Sequence, residues 1–289
     1  MKRLIINADD FGFTSGVNRA IVEAHTQGIV TSSTLMANGR AFSEAVELIK
    51  AAPKLSVGCH VVLIDGEPVA ESKTIPTLTQ DGRFRDGLKS FATRALTGRL
   101  DAREIEAEAS AQIRKLQSAG ISVSHVDTHK HTHLFPSILR PVLRAATICG
   151  VKAVRNPFGP KFPLRSSQLL ARPGLWTRLA EVKVLGRFAG KFREAVDGEG
   201  FTTTDGTLGI EVTGTLDETL FGAIAASVPD GTWEFVCHPG YNDADLQGAR
   251  TRLRESRETE LRVLTLPAAR EVLARDGVEL ISYRDLASS

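Results

Sequence analysis

Short β-prone runs alternate along this chain with longer segments of helical period, and that alternation restricts the fold more than any single residue does. LIINA is followed by a helical pattern over about 15–28, TSSTLMAN by one near 41–52, and SVGCHVVL, after a Gly- and Pro-rich connection, by one near 102–119. VSHVDTH leads into a helix near 136–149. Then come AVRNP, LGIEV with a helix around 216–226, WEFVCHP with a long helix over 255–275, and finally VELISY. Seven or eight such units in 289 residues predict an α/β fold, a single TIM-like (βα) barrel of seven or eight parallel strands rather than an open doubly wound sheet. No G-x-G-x-x-G follows the first strand, which argues against dinucleotide binding. One domain over 1–289 is expected, with a loop excursion at 65–100 and a long insertion at about 158–205. Irregular stretches of that length inside a compact domain belong to functional or mobile segments.

Composition removes several classes of function. A formal charge of +2, with 24% charged residues, lacks the basic excess of a nucleic-acid-binding chain. The start, MKRLIINADD, reaches acids too soon for a secretory leader, and no apolar run approaches a membrane span, so a cytoplasmic location is expected. Cys59, Cys149 and Cys237 have no CxxC spacing, which supports neither a disulfide framework nor a cysteine zinc site. One stretch is strongly biased: over 161–194 the bases Lys161, Arg165, Arg172, Arg178, Lys183, Arg187, Lys191 and Arg193 face the acids Glu181 and Glu194, about +6 by count. Apolar residues at helical spacing, among them Leu175, Trp176, Leu185, Phe188 and Phe192, lie between them. This pattern reads as peripheral contact with the inner membrane, as a lid over an apolar substrate, or as a helix packed on the barrel with a solvated basic face.

The chemistry-bearing residues collect at predicted strand ends. IINADDFG puts Asp9 and Asp10 side by side after an apolar run, where strand alternation would send neighbours to opposite faces. Four of the seven histidines fall in HVDTHKHTH; if that segment is extended, His125, Asp127, His129, His131 and His133 share a face, a density that points to metal binding or catalysis. Not all of them can be ligands, and His131 and His133 run on into the next loop. His60 and His238 each follow a cysteine, and alternation turns Cys59 and Cys237 to the helix layer as small apolar residues. Asp9 and Asp10, His60, His129 and His238 thus end separate strands on the one face where βα barrels assemble active sites.

Taken together, NADDFG, GCHVVL, HVDTHKHTH followed by LFP, and EFVCHPGY resemble the YdjC-like carbohydrate deacetylases over essentially the whole chain. The resemblance implies that Asp10, His60 and His129 bind one divalent cation, that Asp9 is the catalytic base, and that His238 stands where related polysaccharide deacetylases place a general acid. Arg155 would orient Asp9 or touch substrate, and Asp127, His131 and His133 would support the ligands or contact substrate. Cys59 and Thr128 depart from the usual family residues without touching a ligand. The family is described with magnesium (Mg2+), whereas two imidazoles and a carboxylate suit zinc (Zn2+), so the metal stays open. The implied partner is an acetylated amino sugar. The basic insertion resembles the hopanoid-biosynthesis branch, whose implied substrate is a lipid-linked N-acetylglucosamine, and a homodimer is a further expectation. Competing readings are a metal-dependent phosphohydrolase or another amidohydrolase, and, from a different class, a non-catalytic carbohydrate- or lipid-binding barrel.

Overall fold

The computed structural model describes residues 1–160, Leu175 and residues 182–287. Strand β1 (Lys2–Phe11) opens the chain, and its alternation builds two surfaces: Leu4, Ile6 and Ala8 join the large core under the helices, while Ile5, Asn7 and Asp9 face inward. Helix α1 (Ser15–Thr26) is capped by Thr14, whose side chain accepts from the Val17 N–H. β2 (Ser32–Leu35), α2 (Phe42–Ala51) and β3 (Ser56–Val61) follow as the alternation predicts.

The excursion at 65–100 is more ordered than its sequence suggests. It holds a hairpin, β4 (Thr79–Gln80) and β5 (Arg83–Phe84), turned by Asp81 and Gly82 at φ 51° and 80°, and a helix, α3 (Leu88–Leu96). Helix α4 (Ala102–Ser118) then leads to β6 (Val126–Thr128), α5 (Pro136–Ile148), α6 (Ala189–Gly198) and β7 (Gly206–Leu208). The expected strand LGIEV is therefore displaced, because Gly209 at φ 96° turns the chain out of the sheet. After α7 (Glu218–Ala226), β8 (Gly231–Cys237) and the short α8 (Ala244–Gly248), the expected long helix is two, α9 (Glu255–Thr265) and α10 (Pro267–Arg275). Leu266, at φ −63° and ψ 133°, takes the extended conformation that a following proline imposes, and so breaks it. Strand β9 (Val278–Ile281) and helix α11 (Tyr283–Ala287) end the described chain.

Seven strands form one parallel sheet, in the order β6-β3-β2-β1-β8-β7. The remaining strand, β9, shares an edge of β1: β9 pairs with Lys2–Ile5, and β2 pairs from Asn7 onward. This is a half-barrel of parallel strands, where the sequence predicts a closed or nearly closed TIM-like barrel. Isolated bridges Val126↔Val154 and Ala153↔Thr202 run on from β6 toward the segment that becomes β7. Ile5, Ala153, Tyr283 and Leu286 form a small separate cluster. No described helix is long and apolar enough to cross a membrane.

Candidate active site

Two adjacent aspartates reach the same chamber because β1 carries a bulge at its end. Ala8 pairs with Ser33 but Phe11 with Leu35, so three steps on β1 match two on β2, and Asp10 lies in the left-handed region at φ 69°. The extra residue resets the alternation, and both Asp9 and Asp10 are buried at the carboxyl end of the strand. From β3 comes His60, with Cys59 buried in the helix-side core as expected. Gly58 is needed two residues earlier, since a Cβ there would lie 2.5 Å from the His125 ring.

The HVDTHKHTH segment does not stay extended. β6 ends at Thr128, and His129–Leu134 form a 3-10 turn in which Lys130 and His131 have φ of 56° and 52°. The histidines therefore separate. His125 stacks on Tyr283 at 3.5 Å between ring centroids, away from the cluster. His133 bonds the Thr128 hydroxyl at 2.7 Å and the Arg155 carbonyl at 3.2 Å, which locks the turn, and burial holds its pKa down to about 3. His131 is half-buried, with Nδ1 lacking a hydrogen-bond partner among the described residues, and burial lowers its pKa well below the ordinary value.

Asp10, His60 and His129 converge. Asp10 Oδ1 lies 3.6 Å from His60 Nε2 and 3.4 Å from His129 Nδ1, and the two nitrogens are 3.3 Å apart. Ligand atoms about 2.1 Å from a tetrahedral cation would be about 3.4 Å from one another, so the three donors fit a divalent ion in spacing as well as in type. The remaining polar atoms of His60 and Asp10 are held. His60 Nδ1 bonds Asp127 Oδ1 at 2.8 Å, the carboxylate–imidazole arrangement that fixes a metal-facing nitrogen, and Arg257 Nη2 holds Asp10 Oδ2 at 2.5 Å. Burial opposes a charge on His60, but Asp127, Asp9 and Asp10 outweigh it and raise its pKa to about 9, so this spot retains a cation even when it is only a proton.

Asp9 lies within ligand spacing of His60 and Asp127, a second buried group, but its oxygens are taken by other partners. Arg155 Nη2 and Nη1 donate to its two oxygens at 2.6 and 2.8 Å, with Asn7 Nδ2 at 2.9 Å and the Thr34 hydroxyl at 3.3 Å. Burial disfavours its charge, yet Arg155 more than compensates and keeps it ionised. The same guanidinium reaches Asp127 Oδ2 at 2.5 Å and Glu234 Oε1 at 2.6 Å, and Glu234 also accepts from the Tyr283 hydroxyl at 2.5 Å. Acids on β1, β6 and β8 thus meet on one buried arginine. Across from Asp9, His238 Nε2 lies 3.9 Å from Asp9 Oδ2, and its backbone N–H donates to Glu260 at 2.5 Å. Burial lowers the His238 pKa to about 4, so the imidazole is neutral at rest.

Sequence reasoning missed Glu234, Arg257, Glu260, Thr34 and Tyr283. Glu234 left a signal, a charge inside an apolar strand four residues before His238; Arg257, one base among several in RLRESRETELR, left none. Cys59 and Cys237 are buried as predicted. Of the basic insertion, Lys161, Arg165, Arg172, Arg178 and Trp176 lie outside the described residues. Lys183, Arg187, Lys191 and Arg193 are exposed, while Phe192, Ala195 and Val196 are buried in the core and Leu185 and Phe188 pack against it. The described part has spent most of its apolar face on the fold.

Fold and site together define a class of chain, parallel α/β half-barrels with an Asp-His-His cluster and a separate arginine-held aspartate at the strand carboxyl ends. Residues 3–275 match the model of the YdjC-like protein family, and the chain belongs to that family. It is 34% identical to a carbohydrate deacetylase of Brevibacillus brevis, covering 98% of this chain and 99% of that one. It is 33% identical to a chitooligosaccharide deacetylase of Klebsiella pneumoniae, covering 98% of each. A crystal structure from Enterococcus faecalis, provisionally titled a cellobiose-phosphate cleavage protein, superposes with a TM-score of 0.79 at 26% identity, over 99% of this chain and 98% of that one.

Proposed function

We propose that the chain is a metal-dependent carbohydrate N-deacetylase that hydrolyses the acetamide of an N-acetylglucosamine-type sugar and releases acetate. The observation that carries the reading is the division of labour at the strand ends: three donors are spaced for a cation, while Asp9 and His238 stand beside them uncommitted to it. A divalent ion held by Asp10, His60 and His129 supplies Lewis-acid polarisation of the acetyl carbonyl and water acidic enough to ionise near neutral pH. Asp9, kept ionised and aimed by Arg155, accepts the proton of the attacking water. His238 rests neutral, so the proton that the departing nitrogen needs is taken up within the turnover, and Asp9 Oδ2 at 3.9 Å is the donor at hand. Names of deacetylases among the relatives, for carbohydrate and chitooligosaccharide substrates, support the same reaction class.

The finer substrate reading, a lipid-linked sugar met at a membrane, rests on the exposed bases Lys183, Arg187, Lys191 and Arg193. Reversing those charges should abolish co-sedimentation with anionic vesicles and spare turnover of a soluble N-acetylglucosaminide; equal losses of both would discard the membrane. The reaction itself is tested by acetate release from N-acetylglucosaminyl glycosides with Zn2+ or Mg2+ and after chelation. Asp9→Asn should keep the metal and lose at least ~100-fold in kcat. Undiminished turnover by that variant, or by the chelated protein, would refute the mechanism.

A further inference from the structure

The Asp10–His60–His129 pocket opens on one side. The side chains of Asp10 and His60 are 6% and 2% exposed, that of His129 is 22% exposed, so a substrate arrives past His129. Two charges flank that approach. Lys130 follows His129 in sequence, and Asp65 lies in the turn after β3; they form an ion pair with side chains 37% and 22% exposed. Both have left-handed backbones, Asp65 at φ 60° and Lys130 at φ 56°. Non-glycine residues held this way carry a steric cost that persists where placement serves a site. Asn38, from the loop after β2, braces the turn that carries Asp65: its Nδ2 donates to the Glu67 carbonyl at 2.7 Å and lies 3.8 Å from where a Cβ on Gly66 would be. Its Oδ1 is buried without a hydrogen-bond partner among the described residues.

We propose that Asp65 and Lys130 form the subsite that grips the hydroxyls of the sugar ring whose acetamide enters the pocket; this rests on the deacetylase reading above and adds the residues that select its substrate. A partly wet ammonium beside a carboxylate suits a vicinal diol. Lys130 has N–H groups to spare for one hydroxyl oxygen, and the neighbouring hydroxyl donates to Asp65. The pair sums to zero charge, so it favours a neutral sugar over an anionic one.

The test compares Asp65→Asn and Lys130→Asn, chosen because asparagine tolerates the left-handed conformation. Three quantities are measured on Zn2+-loaded protein: kinetics of acetate release from the N-acetylglucosamine dimer, zinc affinity by chelator competition, and calorimetric binding of the dimer in an Asp9→Asn background. Expected are KM and dimer Kd raised ~10-fold, with zinc affinity unchanged and kcat within about twofold. Weakened zinc binding, or a fall in kcat at constant KM, would show instead that the pair positions His129 and would overturn the subsite. Wild-type protein that binds the dimer without releasing acetate would end the deacetylase reading but leave the subsite standing if the variants lose binding. Wild-type protein that fails to bind the dimer overturns the subsite outright.

Discussion

At the scale of single residues, His60 carries the most informative charge. Its raised pKa means that the metal-free protein holds a proton there at neutral pH, and a cation must displace it. Zinc uptake at pH 7.5 should therefore release about one proton per site, and affinity should climb with pH until about 9; calorimetry in buffers of different ionisation enthalpy would measure it, and release of no proton would contradict the assignment. The same shift fixes a stability trend. The folded value lies above the ordinary 6.5, so this proton's contribution is complete below pH 6.5 and disappears as pH rises through about 9. His129→Ala should remove one donor and lower metal stoichiometry.

Among the elements, what was legible depended on how local the cause was. Asp9, His60, His129 and His238 could be placed because each ends a run whose apolar period is visible in sequence. The Asp10 bulge could not, since it is a mismatch between two strands 25 residues apart. The collapse of the extended histidine face was equally hidden, because it hangs on Lys130 and His131 taking left-handed conformations that tertiary contacts impose. The Pro267 break was there to be read, and LGIEV failed where Gly209 turned it aside. The excursion at 65–100 is anchored by a buried acid that no period reveals: Glu108 on α4 accepts from the Val69 and Ala70 N–H groups at 2.9 and 2.8 Å. Gln112, bonded to the same carboxylate, bridges both backbone groups of Val62. Glu108→Ala should cost about 1–3 kcal/mol and speed amide exchange at residues 69 and 70 well above that of β3. Unchanged exchange there would mean that the excursion is held by its apolar contacts.

For the whole molecule, Arg155 joins what the sheet order keeps apart. β6 and β8 are separated by three strands along the path, yet Asp127 and Glu234 meet on one guanidinium together with Asp9, all fully or almost fully buried. A lysine there could neutralise charge but could not reach three carboxylates with one planar fork. Arg155→Lys should destabilise the fold by about 3–5 kcal/mol and lower Tm by roughly 10 °C, besides silencing Asp9. A variant of native Tm would show that the hub is catalytic only. The split edge of β1 reaches further, into how the chain is made. Residues 2–5 leave the ribosome well before 278–281, so until those later residues follow, the nascent β1 keeps exposed hydrogen-bonding groups beside its neighbour β2. Until residues 278–281 arrive, that edge is open to pairing with the wrong strand.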